Sequence, residues 1–151
     1  MTSDTATADP LALERQVCFA LAIANRSVLA VYRPLLEPMG LTHPQYLVML
    51  ALWEQSPRSV RQISDLLQLD SATLSPLLKR LASAGLITRT RSTDDERQLR
   101  VELTDAGRDL RRDAERIPGA VVERLGVDLS ELETLHSVLT RVNLAAKNAS
   151  R

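Results

Sequence analysis

The sequence is poor in aromatic residues, cysteine and histidine, and each shortage narrows the kind of protein it can encode. Aromatic side chains make up 3% of its 151 residues, so the core must be built from Leu, Val, Ile and Ala, which suits packed helices better than a strand-rich sandwich. One cysteine cannot close a disulfide within the chain, and with only two histidines it makes no metal motif. We expect a mainly helical protein with no metal ion and no other cofactor.

Long apolar runs and a net charge are missing too. No apolar run approaches the roughly 20 residues that a membrane helix needs, and the first ten residues are small and polar, so we expect a cytoplasmic protein with no membrane partner. The 19 basic residues balance 19 acidic ones, which argues against a nonspecific polycationic binder. Residues 56–91 nevertheless carry six basic side chains against two acidic ones. Because affinity for DNA grows with the number of phosphates neutralised, so small a patch requires two copies held together if it binds DNA.

The length allows one domain, which we place at residues 10–151 after a disordered lead-in over residues 1–9. From Pro10 an apolar stripe at steps of three and four predicts a long helix to about Tyr32, ended by Pro34 and Gly40. Its near-heptad spacing suits a partner chain as well as the chain's own core.

The C-terminal third of the sequence is also predicted to be helical. Thr104 caps a helix that ends before Pro118, and Ser130 with Glu133 forms a capping box for a last helix. Terminal helices that flank a small central unit commonly supply a dimer interface, although they could simply cover the core. We assign residues 10–40 and 104–151 to dimerisation.

The central residues 41–103 predict two short helices followed by a β-hairpin. A capping box at Thr42 opens a strongly apolar helix, a second box at Ser59 opens the first helix of the pair, and Asp70 can cap its second helix, which Gly85 ends. Residues 86–91 and 99–103 then alternate apolar with polar around a polar loop, as hairpin strands do.

This order is the plan of a winged helix-turn-helix, in which the second helix enters the major groove of DNA. The polar face of that helix carries short hydroxyls and cations that suit bases and phosphates: Ser71, Thr73, Ser75, Lys79 and Arg80. A solvated helix face with ordinary charges is the alternative. Pro76 is a local conflict, since it removes a backbone donor inside the helix.

Three segments resemble the MarR family, and within it the OhrR-type organic hydroperoxide repressors. They are residues 41–47 (LTHPQYL), residues 69–81 (LDSATLSPLLKRL), and residues 88–104, which include TRTR, DDER and LT. The resemblance extends from about Val17 to the end of the last helix. It implies a homodimeric repressor that binds double-stranded operator DNA.

The resemblance also implies roles for residues of the hairpin. Arg97 at the wing tip would enter the minor groove, where an arginine reads shape without base hydrogen bonds. Asp95 would hold the loop and its arginine in place, or serve only as a turn former. Ser71 and Thr73 would approach bases, whereas Arg80, Arg89 and Arg91 would contact phosphates.

Cys18 lies beside the apolar stripe of the first helix. Taken alone, a lone cysteine among apolar residues is usually a small core filler. The resemblance implies instead that organic hydroperoxides oxidise it to a sulfenic acid and that the oxidised repressor leaves DNA, which requires donors that lower the thiol pKa. With no second cysteine, the oxidised form would take up a low-molecular-weight thiol, reach a sulfinic acid or bridge to another chain.

The donors implied by the family are tyrosines, and here the set is altered. Tyr32 matches one of them, His43 occupies a second aromatic position, and Ala22 stands where relatives carry a third tyrosine. Protonated His43 would stabilise a thiolate and add pH dependence, or it could face solvent. On one helix, Cys18 and Tyr32 would lie about 21 Å apart, so Tyr32 and His43 must come from the partner chain if they activate the thiol.

Three other functions compete with peroxide sensing. A MarR-type repressor released by a small aromatic ligand would leave Cys18 structural. A thiol peroxidase would be an enzyme, but it would leave the DNA-binding plan unexplained, so we expect no enzyme. A protein-interaction module would not explain the presence of Asp95 and Arg97.

Overall fold

The protein was analysed as a computed structural model, which describes residues 9–91 and 98–151. The order of elements confirms a mainly helical winged helix-turn-helix, with these bounds: α1 Val17–Leu36, α2 His43–Glu54, β1 Arg58–Ser59, α3 Val60–Leu67, α4 Ser71–Ser83, β2 Ile87–Arg91, β3 Leu99–Leu103, α5 Asp105–Ala114, α6 Ile117–Leu125 and α7 Leu129–Ala149. The predicted disordered lead-in falls mostly on residues 1–8, which lie outside the described residues.

The first helix begins and ends later than predicted. A 3₁₀ turn at Leu13–Arg15 precedes α1, and the helix continues through Pro34 to Leu36. Proline removes one backbone donor without preventing a last turn, and this turn places Leu36, which is 1% exposed, in the core. A second 3₁₀ turn then leads to Gly40, whose φ of 70° ends the segment.

The caps of the central helices are confirmed. Thr42 and Gln45 exchange side-chain and backbone hydrogen bonds at the start of α2, and Ser59 and Gln62 do the same at the start of α3. Asp70 accepts the backbone N–H of Thr73 at the start of α4. These bonds satisfy N–H groups that have no partner within the helix, so the local sequence fixes where each helix begins.

The predicted hairpin is the larger part of a three-stranded antiparallel sheet in the order β1-β3-β2. Ile87 pairs with Leu103 and Arg91 with Leu99, as the alternation required. The sequence analysis missed β1, in which Arg58 pairs with Val101 and Ser59 with Arg100. A strand of two residues is too short to show alternation, so only the folded chain reveals it.

The helix capped by Thr104 is confirmed, and it ends at Ala114, before Pro118. The sequence analysis missed the separate helix α6, in whose first turn Pro118 lies. The capping box of Ser130 and Glu133 is wrong, because α7 begins two residues earlier with Asp128 at its N-cap. Gly126 caps the end of α6 with a φ of 64°, and only Gly126, Val127 and Asp128 lie between the two helices.

The core lies inside the central unit and draws mainly on aliphatic side chains. Buried residues from α2, α3, α4 and the sheet form one cluster, joined by Leu36 of α1 and by Ala114, Ile117 and Val121 beyond the sheet. The polar faces of α3 and α4 remain outside this cluster. The core therefore fixes how the helix pair and the sheet stand relative to each other.

The expectation that no apolar run could span a membrane was wrong as stated. Residues 17–39 form a helical stretch of 23 residues that contains an 18-residue window with a mean hydropathy of 1.2, long and apolar enough by length and composition. The same test is met by helices of folded proteins. Here α1 packs against α2 and α6 and sends Leu36 into the core, so we interpret it as part of the folded domain.

Replacing a core leucine should cost far more stability than replacing a surface one. Leu74 of α4 is fully buried, whereas Leu66 of α3 is 51% exposed. We expect Leu74→Ala to lower the free energy of unfolding by about 2–5 kcal/mol and Leu66→Ala to have a much smaller effect. Urea unfolding at one protein concentration measures both, and equal losses would contradict the assigned core.

Candidate DNA-binding face and thiol site

The fourth helix turns a polar face outward. Leu74, Leu77, Leu78 and Leu81 are buried, and all five residues predicted to contact DNA on this helix are exposed: Ser71, Thr73, Ser75, Lys79 and Arg80. Because the leucines bury one side of α4, its exposed side carries hydroxyls at the N-terminal end and cations toward the C-terminal end. Pro76 lies within the helix without ending it.

One of these hydroxyls, that of Thr73, also bonds the N-cap residue of α4. Hydrogen bonds from the backbone N–H and the hydroxyl of Thr73 lower the pKa of Asp70. The Thr73 hydroxyl thus helps to fix the start of the helix. Ser71, one residue earlier in the first turn, is the other hydroxyl that we predicted to approach bases.

The wing strands carry the predicted phosphate contacts. Arg89 pairs with Val101 and Arg91 with Leu99, and both arginines are exposed. Because they are two residues apart on one strand, their side chains project from the same face of the sheet. Asp95 and Arg97, predicted at the wing tip, lie outside the described residues.

Two further arginines lie where they can add to this face. Arg61 in the first turn of α3 and Arg100 of β3 line one groove, together with Ser59 and Gln98. The sequence analysis counted Arg61 in the basic excess but gave neither arginine a role. Only the pairing of β1 with β3 brings them together, and the sequence carried no sign of that pairing.

The thiol lies at the start of α1 in an exposed position. Cys18 is exposed, and its apolar neighbours Val17 and Phe19 are 68% and 37% exposed. Within this chain Cys18 is therefore not a core filler. Because apolar side chains prefer burial, this end of α1 is a surface that a second molecule can cover.

Tyr32 and His43, the two predicted donors, come together at the other end of α1. Their rings meet edge to face with centroids 4.8 Å apart, and Tyr46 lies 6.0 Å from Tyr32. Burial lowers the pKa of His43 below its ordinary value of 6.5. The protonated form that would best stabilise a thiolate is thus disfavoured near neutral pH.

The thiol and its predicted donors cannot meet within one chain. Cys18 and Tyr32 both belong to α1, and 14 residues of helix at 1.5 Å per residue separate them by about 21 Å. A partner chain is required to bring the two ends together.

Apolar side chains also remain uncovered on the last helix. No residue of α7 is buried, although Leu135, Val138 and Val142 are 38–50% exposed apolar groups along one stretch. Contiguous apolar surface of this kind marks an interface. The two regions that we predicted to dimerise therefore carry much of the surface that a second copy would bury.

A capped helix pair, an outward polar helix and a small wing sheet define this chain as a winged helix-turn-helix protein. Residues 30–113 match a family model described as the transcriptional regulator SarA/Rot. The organic hydroperoxide resistance transcriptional regulator of Bacillus subtilis is 42% identical over 139 residues, covering 85% of this chain and 95% of that protein. The chain belongs to the MarR family of transcriptional regulators and is of the OhrR type.

Two more relatives agree with this assignment. The regulator TtmR of Methylorubrum extorquens is 41% identical over 160 aligned positions, covering 99% of this chain and 82% of that protein. Reduced AbfR bound to DNA superposes with a TM-score of 0.80 at 33% identity, covering 92% of this chain and 95% of the other. AbfR also has an overoxidized form bound to DNA and a disulfide form.

The imidazole of His43 should titrate below pH 6.5. Because the folded chain disfavours protonation of this half-buried ring, the contribution of neutral His43 to the free energy of unfolding should be fully present above pH 6.5 and should be lost as the pH drops from there toward the folded-state pKa. His136→Gln leaves one histidine, so its NMR proton signals report His43 alone. A midpoint at or above 6.5 would contradict the packing described here.

Proposed function

We propose that this protein is a cytoplasmic, homodimeric transcriptional repressor that releases its operator when organic hydroperoxides oxidise Cys18. Double-stranded DNA and a second copy of the chain are its partners. The observation that carries the proposal is the placement of an exposed thiol and its donors at opposite ends of one helix, α1. Such a site is incomplete in one chain and complete only in a dimer.

Two copies of α1 can complete the site if they cross. Crossing would bring the Tyr32 and His43 end of one helix to the Cys18 end of the other, and would cover exposed side chains such as Val17 and Phe19. Donors beside the sulfur would then favour its thiolate form, which is the reactive form. The relationship to a Bacillus subtilis regulator of organic hydroperoxide resistance supports this chemistry.

The oxidation itself is a two-electron step. The Cys18 thiolate attacks the hydroxyl oxygen of the peroxide, a sulfur–oxygen bond forms, the oxygen–oxygen bond breaks, and the leaving alkoxide takes a proton from solvent to become the alcohol. The sulfur becomes a sulfenic acid. A low-molecular-weight thiol would then replace the hydroxyl of the sulfenic acid, giving a mixed disulfide and water.

The DNA-binding part of the proposal rests on the outward face of α4 and on the sheet. Ser71 would approach bases, and Arg80 and Arg89 would contact phosphates. Arg61 and Arg100 line a further groove together with Asp65, and their two positive charges outnumber its carboxylate, so the groove would favour another phosphate. The assignment of Arg97 to the minor groove rests on the family resemblance. Two copies double the number of phosphates neutralised, which offsets the zero net charge of the chain.

Cys18 acts in this proposal as a sensor that reacts once per cycle, not as the centre of an enzyme. The sequence has one cysteine, so nothing in the chain resolves a sulfenic acid rapidly. A DNA-binding face would also be unexplained in a peroxidase.

A second candidate, a repressor released by a small aromatic ligand, is favoured by one observation. Tyr46, Leu50 and Trp53 of α2 face Ala114 and Pro118 across a mainly apolar groove. An aromatic ligand could bind there and separate α2 from α5. In that case Cys18 would be irrelevant to release.

Replacing the thiol should abolish the peroxide response and leave DNA binding intact. We expect Cys18→Ser to bind DNA from upstream of its own gene with wild-type affinity, because serine is close in size and Cys18 lies on α1, outside the helices and strands of the proposed DNA-binding face. Cumene hydroperoxide should weaken wild-type binding by about 5- to 150-fold and leave the variant unchanged. Fluorescence anisotropy measures both, and release of the serine variant by peroxide would favour the ligand-controlled repressor.

A mixed dimer tests whether the donors act across the interface. Tyr32→Phe should slow Cys18 oxidation about tenfold, the effect expected if the thiol pKa rises by about one unit. A dimer of one Tyr32→Phe chain and one Cys18→Ser chain holds a single thiol, which faces the intact Tyr32 if the donor comes from the partner. We expect the wild-type rate per thiol in stopped-flow measurements. The slow rate of the Tyr32→Phe dimer would instead place the donor in the thiol's own chain.

A further inference from the structure

The second helix joins the predicted sensing residues to the wing sheet. It begins at His43, which packs against Tyr32 of α1, and it ends at Glu54, four residues before β1. Twelve residues of helix span about 18 Å. A displacement at its first turn must therefore reach its last turn, because a helix is stiff over this length.

Arg58, whose side chain is mostly buried, links the last turn of α2 to the sheet. The Nε–H of Arg58 donates to the carbonyl of Ala51 at 2.9 Å, and its Nη2 lies 3.4 Å from a carboxylate oxygen of Glu54. The Arg58 side chain is 10% exposed. The same residue forms β1 and pairs with Val101 of β3, one of the two wing strands, so one residue contacts both elements.

Two neighbouring contacts strengthen this junction. The backbone N–H of Leu103 donates to Ser56 Oγ at 3.0 Å, and the indole Nε1–H of Trp53 donates to the carbonyl of Gly107 in α5 at 2.9 Å. Gly107 itself packs closely on the backbone of Leu86, where an added Cβ would lie 2.2 Å from the carbonyl oxygen. The end of α2 and the residues that follow it are thus held against β3 and α5.

We infer that Arg58 is a positioning residue that transmits the state of the thiol site to the wing. The inference rests on the proposed function, since it assumes that oxidation of Cys18 displaces the α1–α2 junction of the partner chain. The side chain of Arg58 bonds α2, and the backbone of the same residue is paired in the sheet. A shift of α2 therefore moves β3, and with it the cations of the wing.

Removing this side chain should break the coupling without unfolding the chain. The carbonyl of Ala51 also accepts the backbone N–H of Gln55 at 3.2 Å, so it keeps a partner when Arg58 is gone. Methionine retains the apolar stem of the arginine and fills much of the same space.

The test compares Arg58→Met with Arg61→Met in the dimeric protein. For each we measure the Kd for the upstream DNA before and after cumene hydroperoxide, and the rate of thiol loss at Cys18. We expect the ratio of oxidised to reduced Kd to fall toward unity in Arg58→Met, from about 5–150 in the wild type, with an unchanged rate of thiol loss. Arg61→Met removes a neighbouring cation that does not contact α2, so it should weaken both states alike and keep the wild-type ratio.

The outcomes separate this inference from the proposed function. A wild-type protein that ignores peroxide would overturn both. A wild-type response together with a wild-type ratio in Arg58→Met would overturn the inference alone. If Arg58→Met does not fold, Arg58→Lys replaces it, because lysine keeps the stem and the charge but cannot bond Ala51 and Glu54 together as the guanidinium does. An unchanged ratio in that variant would overturn the inference too.

Discussion

A straight α-helix holds residues that are 14 positions apart at a fixed separation of about 21 Å, and the thiol site depends on this constraint. Cys18 and Tyr32 occupy such positions on α1. Both residues lie within one continuous helix, Val17–Leu36, whose only proline, Pro34, comes after Tyr32, so the helix does not fold back between them. In the proposed function, the donors therefore reach the thiol only when a second copy of α1 packs against the first. Activation of the thiol and dimerisation thus depend on the same contact.

Because aromatic residues are scarce in this chain, the positions that they occupy are informative. Aliphatic side chains and methionine fill most of the core, and Tyr46 is the one ring among its buried residues in the part of the chain that the structure describes. Tyr32, His43, Tyr46 and Trp53 nevertheless form a continuous row from α1 along α2. Burial, and then the nearby Tyr32, raise the pKa of Tyr46, while burial lowers that of His43. Both rings therefore stay neutral near pH 7, and any help they give a thiolate comes from hydrogen bonding rather than from charge.

Local signals in the sequence predicted the helix pair well, because caps and turns are local interactions. Asp70 and Gly85 could be assigned from their immediate neighbours. The two-residue strand at Arg58 depends on a partner strand more than 40 residues away in the sequence, so no local sequence pattern predicts it. The course of α1 through Pro34 was missed for a related reason: burial of Leu36 outweighs a lost hydrogen bond, and burial is decided by the whole fold. The pairing of Tyr32 with His43 followed from the family resemblance rather than from spacing.

Oxidation of one sulfur adds a single oxygen atom, whereas release from DNA requires two DNA-binding units to change position. The expected 5- to 150-fold loss of DNA affinity corresponds to a coupling free energy of about 1–3 kcal/mol, and Cys18 lies on α1, outside the helix and strands of the proposed DNA-binding face, so the added oxygen does not supply it by direct contact with DNA. The change must therefore act through elements that move as rigid bodies. Helix α2 is suited to this because aromatic rings hold its first turn and hydrogen bonds to Arg58 and Gly107 hold its last. A small displacement at the dimer interface then changes the position of the whole wing rather than being absorbed in a loop.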